Sequence, residues 1–405
     1  VFKCAGFIFL GALIFLAGCA STPKMPDETI SATEPTAGAS ALNWVDPKAA
    51  PPTPSVQLPA VQPAPKTNPP SPTANRAVVI VSKPAHSAST TWTSLNRWAI
   101  EHKLNQPTLL SKSPMTTYRV SSENGVMQLA LGSHEVIWNG IELHLGFEPQ
   151  IIDNQIFLHG LDLQKTFEPL LCAPPLTLGT NHVVVIDPGH GGSNVGTHSV
   201  VDGRYEKEFT LDWARRLKPL LEANGWTVYL TRSSDTYVTN ADRGIFADAH
   251  HADLFISLHF NSAAPDTKQA GLETYVLTPT GMPSTLTRNY SDLWAEHFSN
   301  NNFDAANLQL AVRLQANLLQ VTGETDRGVR RARFMDVLHE HNHPAVLIEG
   351  GYLSNPREAK RIADPEFRQK LAEAVATALR LNPEPTTSKI ETNAPTASTN
   401  QPSKS

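Results

Sequence analysis

The stretch VVVIDPGHGG, Val183 to Gly192, decides how this chain is read. Val183, Val184, Val185 and Ile186 are four β-branched residues in a row, as expected for a strand buried on both faces. The run stops at Asp187-Pro188, and three glycines then surround His190. Glycine permits a tight turn and close backbone approach. A histidine is thereby delivered from a strand end, where open α/β sheets collect their ligand-binding residues. The turn lacks the GK[ST] of a phosphate loop and the spacing of a dinucleotide fingerprint.

Outward from this strand, residues 181–381 alternate apolar runs with helical patterns, the mark of an α/β domain. Glu206 to Asn224 predicts a helix with Trp213, Leu217, Leu220 and Leu221 on one face, stopped by Gly225. Asp242–His250, Ala305–Val321 and Pro365–Leu381 predict further helices, and Trp226–Thr231, Leu254–Leu258, Leu272–Leu277, Phe334–Leu338 and Ala345–Ile348 predict strands. The expectation is a three-layer α/β domain, its sheet flanked by helices.

Three more polar clusters stand at element ends: Glu206-Lys207, Ser257 to Asn261 around His259, and Glu349-Gly350-Gly351. Two histidines and a carboxylate form a common catalytic zinc set, leaving a fourth position for water. A second carboxylate can then serve as general base. Glu349 closes a buried apolar strand, a costly place for an acid unless it is paired or near a cation.

The strings VVVIDPGHGGSNVG, YEKEFTL, LTRSSD, ADLFISLHFNS and VLIEGGYLSN occur in this order between residues 183 and 355. Together they resemble the zinc-dependent N-acetylmuramoyl-L-alanine amidases of the Amidase_3 type. The resemblance implies a mixed sheet of about six strands with helices on both faces. It implies one zinc ion on His190, Glu206 and His259, with Glu349 as the catalytic base. The implied reaction cleaves the amide between the lactyl group of N-acetylmuramic acid and the L-alanine of the stem peptide. Peptidoglycan is thus the implied partner, a protein activator is a candidate second one, and no oligomeric state is implied. Asp187 and Asn261 are candidates for orienting the zinc ligands, and Arg243 for a structural or substrate-orienting pair with a carboxylate. The other histidines are expected to be structural. An insert at 278–305 is either a regulatory lid or a groove or surface loop. The competing reading is a catalytically silent wall-binding lipoprotein of the same fold, whose signature would be loss of a ligand or of Glu349; all four residues are present.

Residues 1–18 carry Lys3 and an apolar run ending in Leu16-Ala17-Gly18-Cys19, which resembles a lipoprotein signal peptide with its lipidation site at Cys19. The expectation is a membrane anchor through Cys19, in the cell envelope on the periplasmic face of the outer membrane. Residues 19–75 are a Pro-, Ala- and Thr-rich tether and residues 382–405 a tail of similar composition, both expected to be disordered. Residues 76–175 predict a small α+β domain: a strand at Val78–Val81, a helix at Thr93–Lys103, then five short strands and a helical stretch at Leu161–Leu171. It is similar to the copper-amine-oxidase N-terminal-like domain, which implies a wall-binding or spacer role, and no ligand cluster is expected among its strands. The 405 residues carry a net charge of -5, so no basic excess favours nucleic acid. The three cysteines, Cys4, Cys19 and Cys172, are too few and scattered for a disulfide framework.

Overall fold

The computed structural model describes residues 91–287 and 292–381. The signal peptide with Cys19, the tether, the strand expected at Val78–Val81 and the tail lie outside the described residues. In chain order the elements are β1 (Trp92–Ser94), α1 (Leu95–Glu101), β2 (Thr108–Ser111), β3 (Thr117–Ser122), β4 (Gly125–Ala130), β5 (Glu135–Trp138), β6 (Ile141–His144), β7 (Gln150–Ile152), β8 (Gln155–His159) and α2 (Gly160–Asp162). A π-helical stretch, Leu163–Cys172, continues α2. There follow β9 (Val183–Pro188), α3 (Glu206–Ala223), β10 (Thr227–Leu230), α4 (Asn240–Ala249), β11 (Leu254–Asn261), β12 (Leu272–Val276), α5 (Asp304–Thr322), β13 (Asp326–Arg331), β14 (Ala345–Tyr352), α6 (Pro356–Ala363) and α7 (Pro365–Ala378).

Strands from residues 183–352 run in the order β10-β9-β11-β14-β12-β13. All neighbours are parallel except β12 and β14, so the six-stranded sheet is mixed. One face is apolar throughout. Val184, Ile186, Ile256, Leu258, Val346 and Ile348 share a core with α3, α5 and α7. Helix α3 contributes Phe209, Trp213, Leu217 and Leu221, all buried, at the spacing that aligns side chains on one helical stripe. Each such side chain stabilises the fold by about 1.5–3 kcal/mol when fully buried. The other face has a smaller core of Val185, Phe255, Tyr275 and Leu347, with Ala247 from α4. That thinner cover leaves room for the polar cluster at the strand ends.

The strand expected at Phe334–Leu338 is not formed. The strand is β13, Asp326–Arg331, which ends before the expected run begins, and Asp336–Leu338 is a 3-10 turn. Its sequence DRGVRR hides it, because charged residues fill four of its six positions. Those charges are accommodated by partners: Arg327 Nε meets Glu273 at 2.6 Å, and buried Arg331 donates to Lys165 O and Thr166 Oγ1.

The sheet does not end at β13. Strand β6 adds to it in parallel, with Val329 opposite Leu143, and β5, β4, β3 and β2 follow as an antiparallel meander. Gly328 makes the join passable: its φ is +85°, and a Cβ there would lie 2.6 Å from the carbonyl oxygen of Glu142. The part of the chain expected as a small domain therefore continues the larger sheet across the 175–181 boundary. The insert reinforces the junction. Trp294 meets Phe147 edge to face at 6.2 Å, and Asp292 pairs with buried Arg333 at 2.6 Å.

Candidate metal centre and active site

His190 follows β9 in the left-handed region, with φ 63°. Gly189 is required beside it, since a Cβ at Gly189 would fall 2.2 Å from the ring of His259. The His190 ring is oriented by Asn194, whose Oδ1 lies 2.8 Å from Nδ1. A proton on Nδ1 leaves the Nε2 lone pair available, and Nε2 faces Glu206 Oε2 at 3.0 Å.

Glu206 is the first residue of α3, where the helix dipole favours an acid. It is only 4% exposed. Its Oε2 accepts from the amide of Thr197 at 3.0 Å, and its Oε1 from the amide of Phe260 at 3.0 Å. Oε1 also meets His259 Nδ1 at 2.9 Å. The carboxylate thus spans both imidazoles. Burial would push its carboxyl up, but the hydrogen bonds and charge of His190 and His259 overcome this and hold it well below the usual range. The neighbouring acid, Glu208, does something else: it accepts from the Tyr205 amide at 3.0 Å and closes the helix start.

One donor atom from each of His190, Glu206 and His259 lies within 4.8 Å of the others. Two imidazoles and a carboxylate converging without a cationic side chain between them are a donor set suited to a divalent transition metal. Glu349, buried at 7% exposure on β14, stands directly opposite His259 in the β11–β14 register. All four residues line one cavity of about 340 Å³, which Phe334 to Val337 also line. No described residue of the 278–305 insert lines it.

Asp187 and Arg243 work behind the site. Asp187 is fully buried and pairs with Arg243, also accepting from Ser257 Oγ at 2.6 Å and from Thr231 Oγ1. Arg243 in turn donates to the carbonyls of His190 at 2.9 Å and Val238 at 3.0 Å. The pair clamps the main chain of the turn, whereas the ring of His190 is set by Asn194. Asn261, on the pocket wall, donates from Nδ2 to Glu273 Oε2 at 2.9 Å. Asn194 escaped the sequence reading, although its position four residues after His190 in a glycine-rich turn was a usable signal. Asn194→Ala is expected to weaken metal affinity about 10–100-fold, measured by competition with a chromophoric chelator.

The strands of residues 135–144 do hold a second group of metal-type ligands, Glu135, Glu142 and His144, which corrects the expectation of none. Cross-strand pairing made it invisible in sequence: Glu135 sits opposite His144. Arg330 Nη1 stands 3.1 Å from His144 Nε2, so a cation of the protein itself already fills this place.

A family model described as N-acetylmuramoyl-L-alanine amidase matches residues 184–380. Among curated proteins, the probable cell wall amidase LytH of Staphylococcus saprophyticus is 37% identical over 198 residues, which is 49% of this chain and 57% of that protein. The N-acetylmuramoyl-L-alanine amidase AmiA of Escherichia coli is 31% identical over 219 residues, 49% of this chain and 75% of that protein. The match thus spans little more than half of the first relative's length. Among solved structures, an N-acetylmuramoyl-L-alanine amidase from Clostridium difficile 630 is 31% identical, covering 49% of this chain and 95% of that one with a TM-score of 0.41.

Proposed function

The chain belongs to the N-acetylmuramoyl-L-alanine amidase family, and from that premise we propose that it cleaves the amide between the lactyl group of N-acetylmuramic acid and the L-alanine of peptidoglycan stem peptides. The observation that carries this reading is the Glu206 carboxylate lying 2.9 and 3.0 Å from two imidazoles in the cavity that Glu349 also lines. In this proposal His190, Glu206 and His259 hold one zinc ion. When bound, zinc would lower the pKa of a water and polarise the amide carbonyl. Glu349 takes the proton from the attacking water and returns it to the leaving amine. Asn194 fixes the tautomer of His190, and Arg243 fixes the backbone beneath it, so the ligands need little reorganisation. Retention of all three donors and of Glu349 disfavours the silent wall-binding alternative. The cellular reading is wall remodelling or daughter-cell separation by an enzyme anchored through Cys19 to the periplasmic face of the outer membrane.

The test uses the full chain in detergent on isolated peptidoglycan, with products read by mass spectrometry. Free stem peptides bearing a new L-alanine amino terminus are expected, abolished by chelation and restored by added zinc. A folded, zinc-loaded protein that releases no such peptide would overturn the reading. Globomycin-sensitive labelling of the cells with a fatty-acid probe, absent in Cys19→Ala, tests the anchor.

A further inference from the structure

Phe334 to Val337 line the cavity together with Glu349, and the chain holds this turn at both ends. Before it stands Arg333, fully buried. Its guanidinium pairs with Asp292 at 2.6 Å and donates to the carbonyls of Pro279 at 2.8 Å and Met282 at 2.9 Å. After it stands His339, which stacks on Phe298 at 3.7 Å and donates from Nε2 to Arg333 O at 2.6 Å. Inside the turn the Leu338 amide donates to Met335 O at 2.8 Å. Pro279, Met282, Asp292 and Phe298 all belong to the 278–305 insert. The insert therefore braces a stretch of cavity wall that none of its own described residues joins. A turn fixed in this way presents its side chains already in place, which lowers the ordering cost of binding.

Asp336 is the acid that this turn presents. It lines the cavity, yet its side chain is 63% exposed, which puts the carboxylate at the mouth. Among the described residues its ion-pair neighbour is His339, with Nε2 at 3.9 Å, and that nitrogen already gives its proton to Arg333 O. The basic groups lining the cavity are His190, His259 and Arg243. Glu206 engages both imidazoles, and Asp187 with three carbonyls engages Arg243. Among the described residues, then, no basic group of the cavity lining answers Asp336.

We propose that Asp336 is a specificity-determining residue that selects stem peptides bearing a free side-chain ammonium group. The inference rests on the amidase reading. Of the two parts of the substrate that meet at the scissile amide, the glycan is uncharged and the peptide carries the ionisable side chains. A carboxylate at the mouth therefore discriminates among peptides, favouring a cation and disfavouring further acids. Acylation of that amine, as in a cross-link between stems, removes its charge. The selection thus favours stems whose amine is not cross-linked.

The test gives the full chain in detergent two disaccharide peptides that differ in one group, a stem side-chain amine either free or acetylated. Wild type is expected to favour the free amine about three- to five-fold in kcat/KM, the range of an exposed charge pair, with the difference carried by KM. The preference should shrink toward one in about 1 M salt, where exposed charges are screened. Asp336→Asn should bring the ratio to about one. Asp336→Glu keeps the charge and should keep most of the preference, which separates a charge effect from a disturbed turn. Equal rates on the two substrates in wild type, or a wild-type ratio in Asp336→Asn, overturns the selection while leaving the amidase reading standing. Wild-type protein that cleaves neither substrate defeats both together.

Discussion

Glu349→Gln is expected to lose about 10²–10⁴-fold in turnover while keeping its fold and its metal content. Glutamine preserves the shape of the side chain but cannot accept a proton from water. The position is buried on β14, in the centre of the sheet, with His259 on one side and Glu273 on the other. The three metal-ligand candidates come from β9, α3 and β11 and are tied to one another and to backbone amides, so their arrangement does not depend on the Glu349 proton. Activity, zinc content by atomic absorption and the circular dichroism spectrum should be taken on the same sample. Turnover within ten-fold of wild type would remove Glu349 from the base role. Loss of metal together with activity would instead make Glu349 a ligand.

Much of this arrangement was legible in the sequence, for a physical reason. A strand buried on both faces must be apolar along its length, so VVVI and the runs before His259 and Glu349 announced themselves, and the polar residues that end them marked the site. The bounds of α3 and the start of β14 fell at or next to the expected ones for the same reason, whereas β14 runs four residues past the expected Ile348, through Glu349 to Tyr352. What stayed hidden depends on partners distant in sequence. Strand β13 reads as a charged loop until Glu273 and Thr166 are placed beside its arginines. The join of β6 to β13 rests on one glycine without a Cβ and on a register no local pattern specifies. The partner of the His190 ring was Asn194 and not Asp187, because Asp187 is still within β9, on the sheet before the turn begins, where Arg243 meets it.

That buried pair carries the second large effect. Arg243→Ala is expected to destabilise the protein by about 3–5 kcal/mol, the usual consequence of stranding one partner of a buried ion pair. Arg243→Lys should recover only part of this, because a single ammonium cannot reproduce a fork that serves Asp187 and three carbonyls at once. The pH dependence separates this from a mere packing loss. In the wild type, burial alone would raise the Asp187 carboxyl, but Arg243, Ser257 and Thr231 hold it below its ordinary value. Its contribution is therefore complete above the unfolded pKa of about 3.9 and fades as pH falls through the lower folded value. In Arg243→Ala the burial effect has lost its main opponent, so the carboxyl moves upward and its ionisation now costs stability as pH rises. The gap between wild type and variant should be small near pH 3 and widen toward pH 7, as read from denaturant midpoints across that range. A gap independent of pH would assign the loss to the missing side-chain volume. Removing the acid as well, in Asp187→Asn with Arg243→Ala, should narrow the gap near pH 7, since the stranded charge is then absent.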